Sequence, residues 1–175
     1  MKVKSIFMGS ALMMGLVFSG CTDDDDNCTP DYTGPLTASE TLLVGQWTLS
    51  AINSDKAVDL TDDEVANPST NIYAQYTDCQ KDARYDFSEN RNYDFAQGAV
   101  VPNCDNKLIT NGTWQYQNNQ IDFISSCVVL SLPITITNAN TSFQSVSENL
   151  LVKDVTGSVT TVTWTFVYTK ILPQA

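Results

Sequence analysis

From Leu42 onward the chain is written in short runs of alternating character, and no other feature constrains its fold as strongly. Val, Thr, Tyr, Phe and Trp dominate the runs, polar residues separate them, and no long stretch carries a helical period. Eight candidate strands result: Leu43–Asn53, Ala83–Ser88, Asn92–Gln97, Gly112–Gln117, Gln120–Ser125, Val128–Thr137, Ser142–Val155 with a bulge near Glu148, and Ser158–Ile171. "SENRN", "QNNQ" and "NANT" are short polar turns after the second, fourth and sixth strands. The other connections fall at the opposite end, and 54–82 and 98–111 are long. An antiparallel up-and-down meander then has one end closed by tight turns and the other framed by loops. Eight such strands predict a closed barrel, which removes exposed edges. A β-sandwich is the alternative that the same count permits. In the first long loop, "LTDDEVAN" (60–67) predicts one short helix. Thr61 would cap it, and Asp62, Asp63 and Glu64 would complement its dipole.

The N-terminus is of a different kind. Lys2 and Lys4 precede an apolar run from Ile6 to Phe18, followed by Ser19, Gly20 and Cys21. This is the pattern of a secretory signal, too short to span a bilayer. Residues 1–20 are expected to be the signal, 21–41 an acidic tether rich in Asp, Thr, Pro and Ser, and 42–172 the β-domain. Loss of Lys2 and Lys4 takes the formal net charge from −11 to −13. So acidic a chain argues against nucleic acid, whose phosphates need Lys and Arg, and against electrostatic attraction to anionic lipid.

Four cysteines remain besides Cys21, an even set that reads as disulfides in an exported protein. Partners about the turn near Asn90 have residue numbers summing to about 180. Cys79 then lies opposite Val101, close to Cys104, and a Cys79–Cys104 bridge is expected. Cys104–Cys127 is the rival pairing, since Cys127 emerges at the same looped end. Cys28 is within tether reach of the remaining cysteine.

Three resemblances add to this reading. "VFSGC" (17–21) resembles a bacterial lipobox, with Phe18 where Leu, Val or Ile is usual. It implies that Cys21 carries an acyl, palmitate-type anchor and is the first mature residue. The alternative is an ordinary signal cut near Gly20, with Cys21 in a disulfide. "CTDDDD" resembles the acidic export signal of Bacteroidetes surface lipoproteins, which implies that Asp23, Asp24, Asp25 and Asp26 direct the protein to the outer surface of the outer membrane. As a charge block alone it reads as a solvated tether. In "LVGQWTL" (43–49), Gly-x-Trp resembles the lipocalin signature, and "RYDFSENRNYDF" and "NGTWQY" resemble lipocalin-like lipoproteins of Bacteroidetes. This implies that Trp47 plugs one end of the barrel, that Gly45 lets the preceding segment cross it, and that Lys170 loosely matches the basic residue stacked on the Trp. The Thr-Asp-Tyr element of lipocalins is missing from the second half.

The chain has no histidine, which removes Ser-His-Asp and Cys-His catalysis and imidazole metal sites. No catalytic residue, metal site or cofactor is expected, and an enzyme is the least supported reading. Asp86 and Asp94 are placed to face each other across strands two and three, where the bland reading is two exposed acids on a sheet. Asp62, Asp63 and Glu64 lack the spacing and glycine of a calcium loop. The rings of Tyr85, Phe87, Tyr93, Phe95, Trp114, Tyr116, Phe123, Trp164, Phe166 and Tyr168 alternate along their strands, so each strand's set shares one face. They nearly fill a small barrel. The alternative is a partial cavity near the looped end, with the hydroxyls of Tyr85, Tyr93, Tyr116 and Tyr168 as anchors. Two functions follow: a surface lipoprotein binding a small apolar ligand, or an interaction module of an outer-membrane complex with a filled barrel. A pocket of roughly 300 Å³ or more between the long loops would favour the first.

Overall fold

The computed structural model of the protein describes residues 28–172. The expected lipid anchor, Cys21, and the expected export residues, Asp23 to Asp26, lie outside the described residues. The chain runs α1 (Ala38–Leu43), β1 (Gly45–Val58), β2 (Ser69–Asn71), α2 (Ile72–Gln75), α3 (Asp78–Lys81), β3 (Arg84–Phe87), β4 (Asn92–Gln97), β5 (Leu108–Gln117), β6 (Gln120–Ser125), β7 (Val128–Pro133), β8 (Thr135–Thr137), a 3₁₀ turn (Asn138–Asn140), β9 (Ser142–Lys153) and β10 (Val159–Lys170).

The protein is all-β. Nine strands form one strongly curled antiparallel sheet, a half-barrel, in the order β7-β6-β5-β4-β3-β1-β10-β9-β8, with β2 attached to β1. First and last strands pair: Trp47 lies opposite Lys170 and Ile52 opposite Phe166. Tyr85 faces Phe95 and Asp86 faces Asp94, the register expected about Asn90. The tight turns are built from residues that tolerate positive φ. Asn118 and Asn119, at φ 52° and 59°, make the two-residue β5–β6 connection.

β1 runs to Val58, five residues beyond the expected end, and curls with the sheet. A register shift between Leu49 and Ala51 moves its buried face from Trp47 and Leu49 to Ile52 and Ser54. A bulge of this kind bends a strand without exposing its apolar side. A second shift, between Val162 and Trp164 on β10, falls opposite residues 147–150 of β9, next to Glu148, and Asn149 there has φ 57°.

The sixth expected strand is two. β7 pairs with β6, whereas β8 pairs with β9. Between them Ile134 donates its N–H to the Asn119 carbonyl at 2.8 Å. Pro133 has no N–H to give a ladder, so the chain switches partners there. The two ends of the sheet are therefore consecutive in sequence, and β7 and β9 part on the other side of the switch.

Two further expectations are corrected. Residues 60–67 form an irregular loop, not a helix. The Asp59 carboxylate accepts from the Thr61 N–H, the Thr61 hydroxyl and the Asn67 N–H at 3.2, 3.0 and 3.0 Å, which gives the backbone a partner other than a helix. The tether expected over 21–41 is fixed to the barrel from Cys28 onward. Cys28 is bonded to Cys127, and Tyr32 donates its N–H to the Thr113 hydroxyl. Cys79 is bonded to Cys104, so Cys104–Cys127 is not formed.

Gly112 has no room for a side chain. A Cβ there would stand 1.9 Å from the Ile124 carbonyl oxygen, a backbone atom that moves only with its strand. Gly112→Ala should therefore force β5 and β6 apart and cost about 2 kcal/mol by overpacking, read as a lower urea midpoint at unchanged m-value.

Candidate functional site

One end of the half-barrel is sealed. Trp47 is fully buried, its Nε1–H donates to the Leu43 carbonyl at 2.7 Å, and its ring meets Phe143 at 5.1 Å. The Lys170 ammonium stands 5.3 Å from the Trp47 ring centroid and donates to the Leu42 carbonyl at 2.9 Å. Gly45 has φ 116°, and a Cβ on it would lie 3.2 Å from Lys170 Cε. Glycine is required here both by conformation and by the packed lysine stem.

Beside this plug lies a buried ion pair, Arg91 with Glu40, at 2.7 Å. Arg91 sits at φ 70° in the β3–β4 turn, and Glu40 on α1. The guanidinium donates to both Glu40 oxygens and to the carbonyls of Gly34, Pro35 and Trp114. Glu40 also accepts the N–H groups of Thr37 and Tyr116 at 2.7 and 3.1 Å. The pair was not among the expected site residues. Its signals were Thr37-x-x-Glu40, a capping-box pattern, and an arginine inside a turn.

Burial resists ionisation of Glu40, but Arg91 and the two N–H donors outweigh it and hold the carboxyl at about 2. With the folded value below the ordinary 4.5, the stabilisation is complete above pH 4.5 and is lost as pH falls through about 2. Glu40→Gln should remove this part of the acid dependence in urea titrations between those pH values. At neutral pH it leaves Arg91 unpaired, at a cost of about 3 kcal/mol.

The candidate binding site is inside the half-barrel. A cavity of about 170 Å³ is lined by Tyr85, Leu132, Ser145, Ser147, Phe166 and Tyr168. Leu132 belongs to β7 and the two serines to β9, so the cavity opens where those strands part. It lies at the lateral gap, not at the looped end where the alternative partial cavity is expected. The reason is packing: Phe87, Phe123 and Phe143, all fully or almost fully buried, fill the barrel below it.

Of the four expected tyrosines, the structure brings Tyr85 and Tyr168 together, rings 5.2 Å apart and edge-on. Tyr93 packs on Phe123 at 4.6 Å and does not line the cavity. Tyr116 turns towards the tight-turn end, where its hydroxyl meets Asn119 Oδ1 at 3.2 Å. Tyr93 and Tyr116 are therefore corrected from cavity anchors to packing residues. Ser145 and Ser147 were not among the expected site residues, since nothing in the sequence singles them out. Burial pushes the Tyr168 hydroxyl up to about 12. Burial, with Tyr168 and Tyr93 nearby, pushes Tyr85 well above the usual phenol range. Both therefore remain neutral donors at physiological pH. One step along β10 the Trp164 Nε1–H is buried without a protein partner.

Asp86 and Asp94 face each other, but on the outer surface, in register with Gln46 and Asn111. They take no part in the cavity. A larger depression of about 590 Å³ lies at the looped end beside the Cys79–Cys104 bridge. It is lined by Gln80, Gln97, Asn103, Asp105, Asn106 and Lys107 among others and offers no ring to a ligand. Among the described residues there is no group of three or more Cys, Asp or Glu placed to hold a metal.

A family model described as a domain of unknown function, DUF5004, matches residues 21–171, and the chain belongs to that family. No curated protein matches it.

Proposed function

We propose that this member of the family is a lipid-anchored, non-enzymatic binding protein of lipocalin-like design, carrying a small and largely apolar ligand in its half-barrel. One observation carries the reading: Tyr168, which is buried, Tyr85, which is partly buried, and two serines share a cavity with Leu132 and Phe166. Apolar walls with a few convergent polar groups are the usual composition of a small-molecule site. The volume limits the ligand to about one ring. Mass spectrometry under native conditions, on protein purified without detergent, should show a retained small molecule that denaturation releases. Apo protein that also fails to bind any one-ring probe would overturn the reading.

Anchoring is supported by the sequence "VFSGC", and surface display by the four aspartates after it. Cys21 is the lipidated residue in this reading. Mass analysis of the mature N-terminus should find acyl chains on Cys21, and Cys21→Ala should release the protein from the membrane fraction. An unmodified Thr22 terminus would sink the anchor.

A second reading, an interaction module of an outer-membrane complex, is favoured by Val128, Val129 and Leu130. All three are exposed on β7 although apolar.

A further inference from the structure

We infer that the cavity selects an uncharged ligand of about one ring that offers an oxygen to the Tyr85 and Tyr168 hydroxyls. The inference rests on the ligand-binding reading above and narrows its ligand.

Charge comes first. None of the six lining residues is charged. Nor is any residue from Phe123 to Ser147, a span that contains β7, β8 and the half of β9 that meets the cavity. The rest of the chain supplies the net charge of −11. A carboxylate ligand would be opposed by the acidic exterior and would find no cation inside, and a buried unpaired charge is strongly unfavourable. A cationic ligand would be drawn to the exterior, yet the cavity holds no carboxylate to pair with it. Its remaining attraction would be to ring faces, and Tyr168 has already laid one face on Phe143, at 5.0 Å and 19°.

Polarity comes second. Tyr85, Tyr168, Ser145 and Ser147, each carrying a hydroxyl, line a space of about 170 Å³ together with two apolar side chains. A pure hydrocarbon would desolvate these hydroxyls and return no hydrogen bond. A ligand with one neutral oxygen, carbonyl or hydroxyl, answers them while its ring lies against Leu132 and Phe166.

Four probes of one shape separate the possibilities: acetophenone, ethylbenzene, benzoate and phenyltrimethylammonium. Each is titrated into the full chain and followed by protein NMR at pH 7. Acetophenone should bind most tightly, ethylbenzene about five- to tenfold more weakly, as the loss of one hydrogen bond implies, and the two ions more weakly still. Tyr168→Phe keeps the ring and should bring acetophenone down to the level of ethylbenzene while leaving ethylbenzene unchanged. Benzoate or the ammonium binding as tightly as acetophenone would overturn the charge selection. Equal affinity for acetophenone and ethylbenzene, or an equal effect of Tyr168→Phe on both, would overturn the oxygen contact. Binding of none of the four would instead overturn the ligand reading itself, and this inference with it.

Discussion

The Arg91 guanidinium is the fixed point of the molecule. It has five N–H donors, and each meets an acceptor: the two oxygens of Glu40 and the carbonyls of Gly34, Pro35 and Trp114. These partners come from the N-terminal segment, α1 and β5, while Arg91 itself holds the β3–β4 turn. The pair thus locks three separate parts of the chain at the sealed end. A buried ion pair is weak evidence for net stability, because both charges lose their water. Here its consequence is geometric. It holds α1 where the Leu42 and Leu43 carbonyls accept from Lys170 and Trp47, so the plug and the ion pair are one assembly.

With that end fixed, the barrel can leave a side open. Full closure would satisfy every strand edge, but Pro133 interrupts the strand that would complete the ring. Its two halves serve different neighbours, β6 on one side and β9 on the other. The uncovered part of β9 ends in a bulge at Asn149, and β7 is only six residues long. Short and bulged edges template other chains poorly. The gap can therefore persist as an opening, with the Cys28–Cys127 bridge fixing the chain one residue before β7 begins.

Much of this was legible in the sequence, because the signals were local. Alternation gave β4 and β6 residue for residue, and the turn at Asn90 gave the β3–β4 register and so the Cys79–Cys104 pair. What was missed depends on contacts between distant segments. Nothing near residues 28–41 says that they will pack on β5, since the groups that bind them, Cys127, Thr113 and Arg91, are far along the chain. The helix expected over 60–67 failed because a single buried carboxylate, Asp59, outbid it for backbone N–H groups. Inward parity made Tyr85, Tyr93, Tyr116 and Tyr168 cavity candidates but could not rank them. Depth along the barrel decides between cavity and core, and depth follows from curvature.

The same curvature explains why charge and cavity are kept apart. Alternation sends every second side chain outward, and on β3 and β4 the outward set includes Arg84, Asp86 and Asp94. The lips of the gap belong to no such strand: Val128 and Leu130, on the same face of β7 as Leu132, and Val146, on the outer face of β9 between Ser145 and Ser147, are exposed and apolar. A charged lip would have stood at the mouth of a cavity whose only polar groups are neutral hydroxyls. Leaving it uncharged costs solubility locally, where three apolar side chains on β7 meet water, but it gives a neutral molecule a path without desolvating an ion. Stability and access thus divide the barrel between them. The ion pair and plug secure one end, the aromatic layer fills the middle, and the uncharged gap is what remains for a ligand to use.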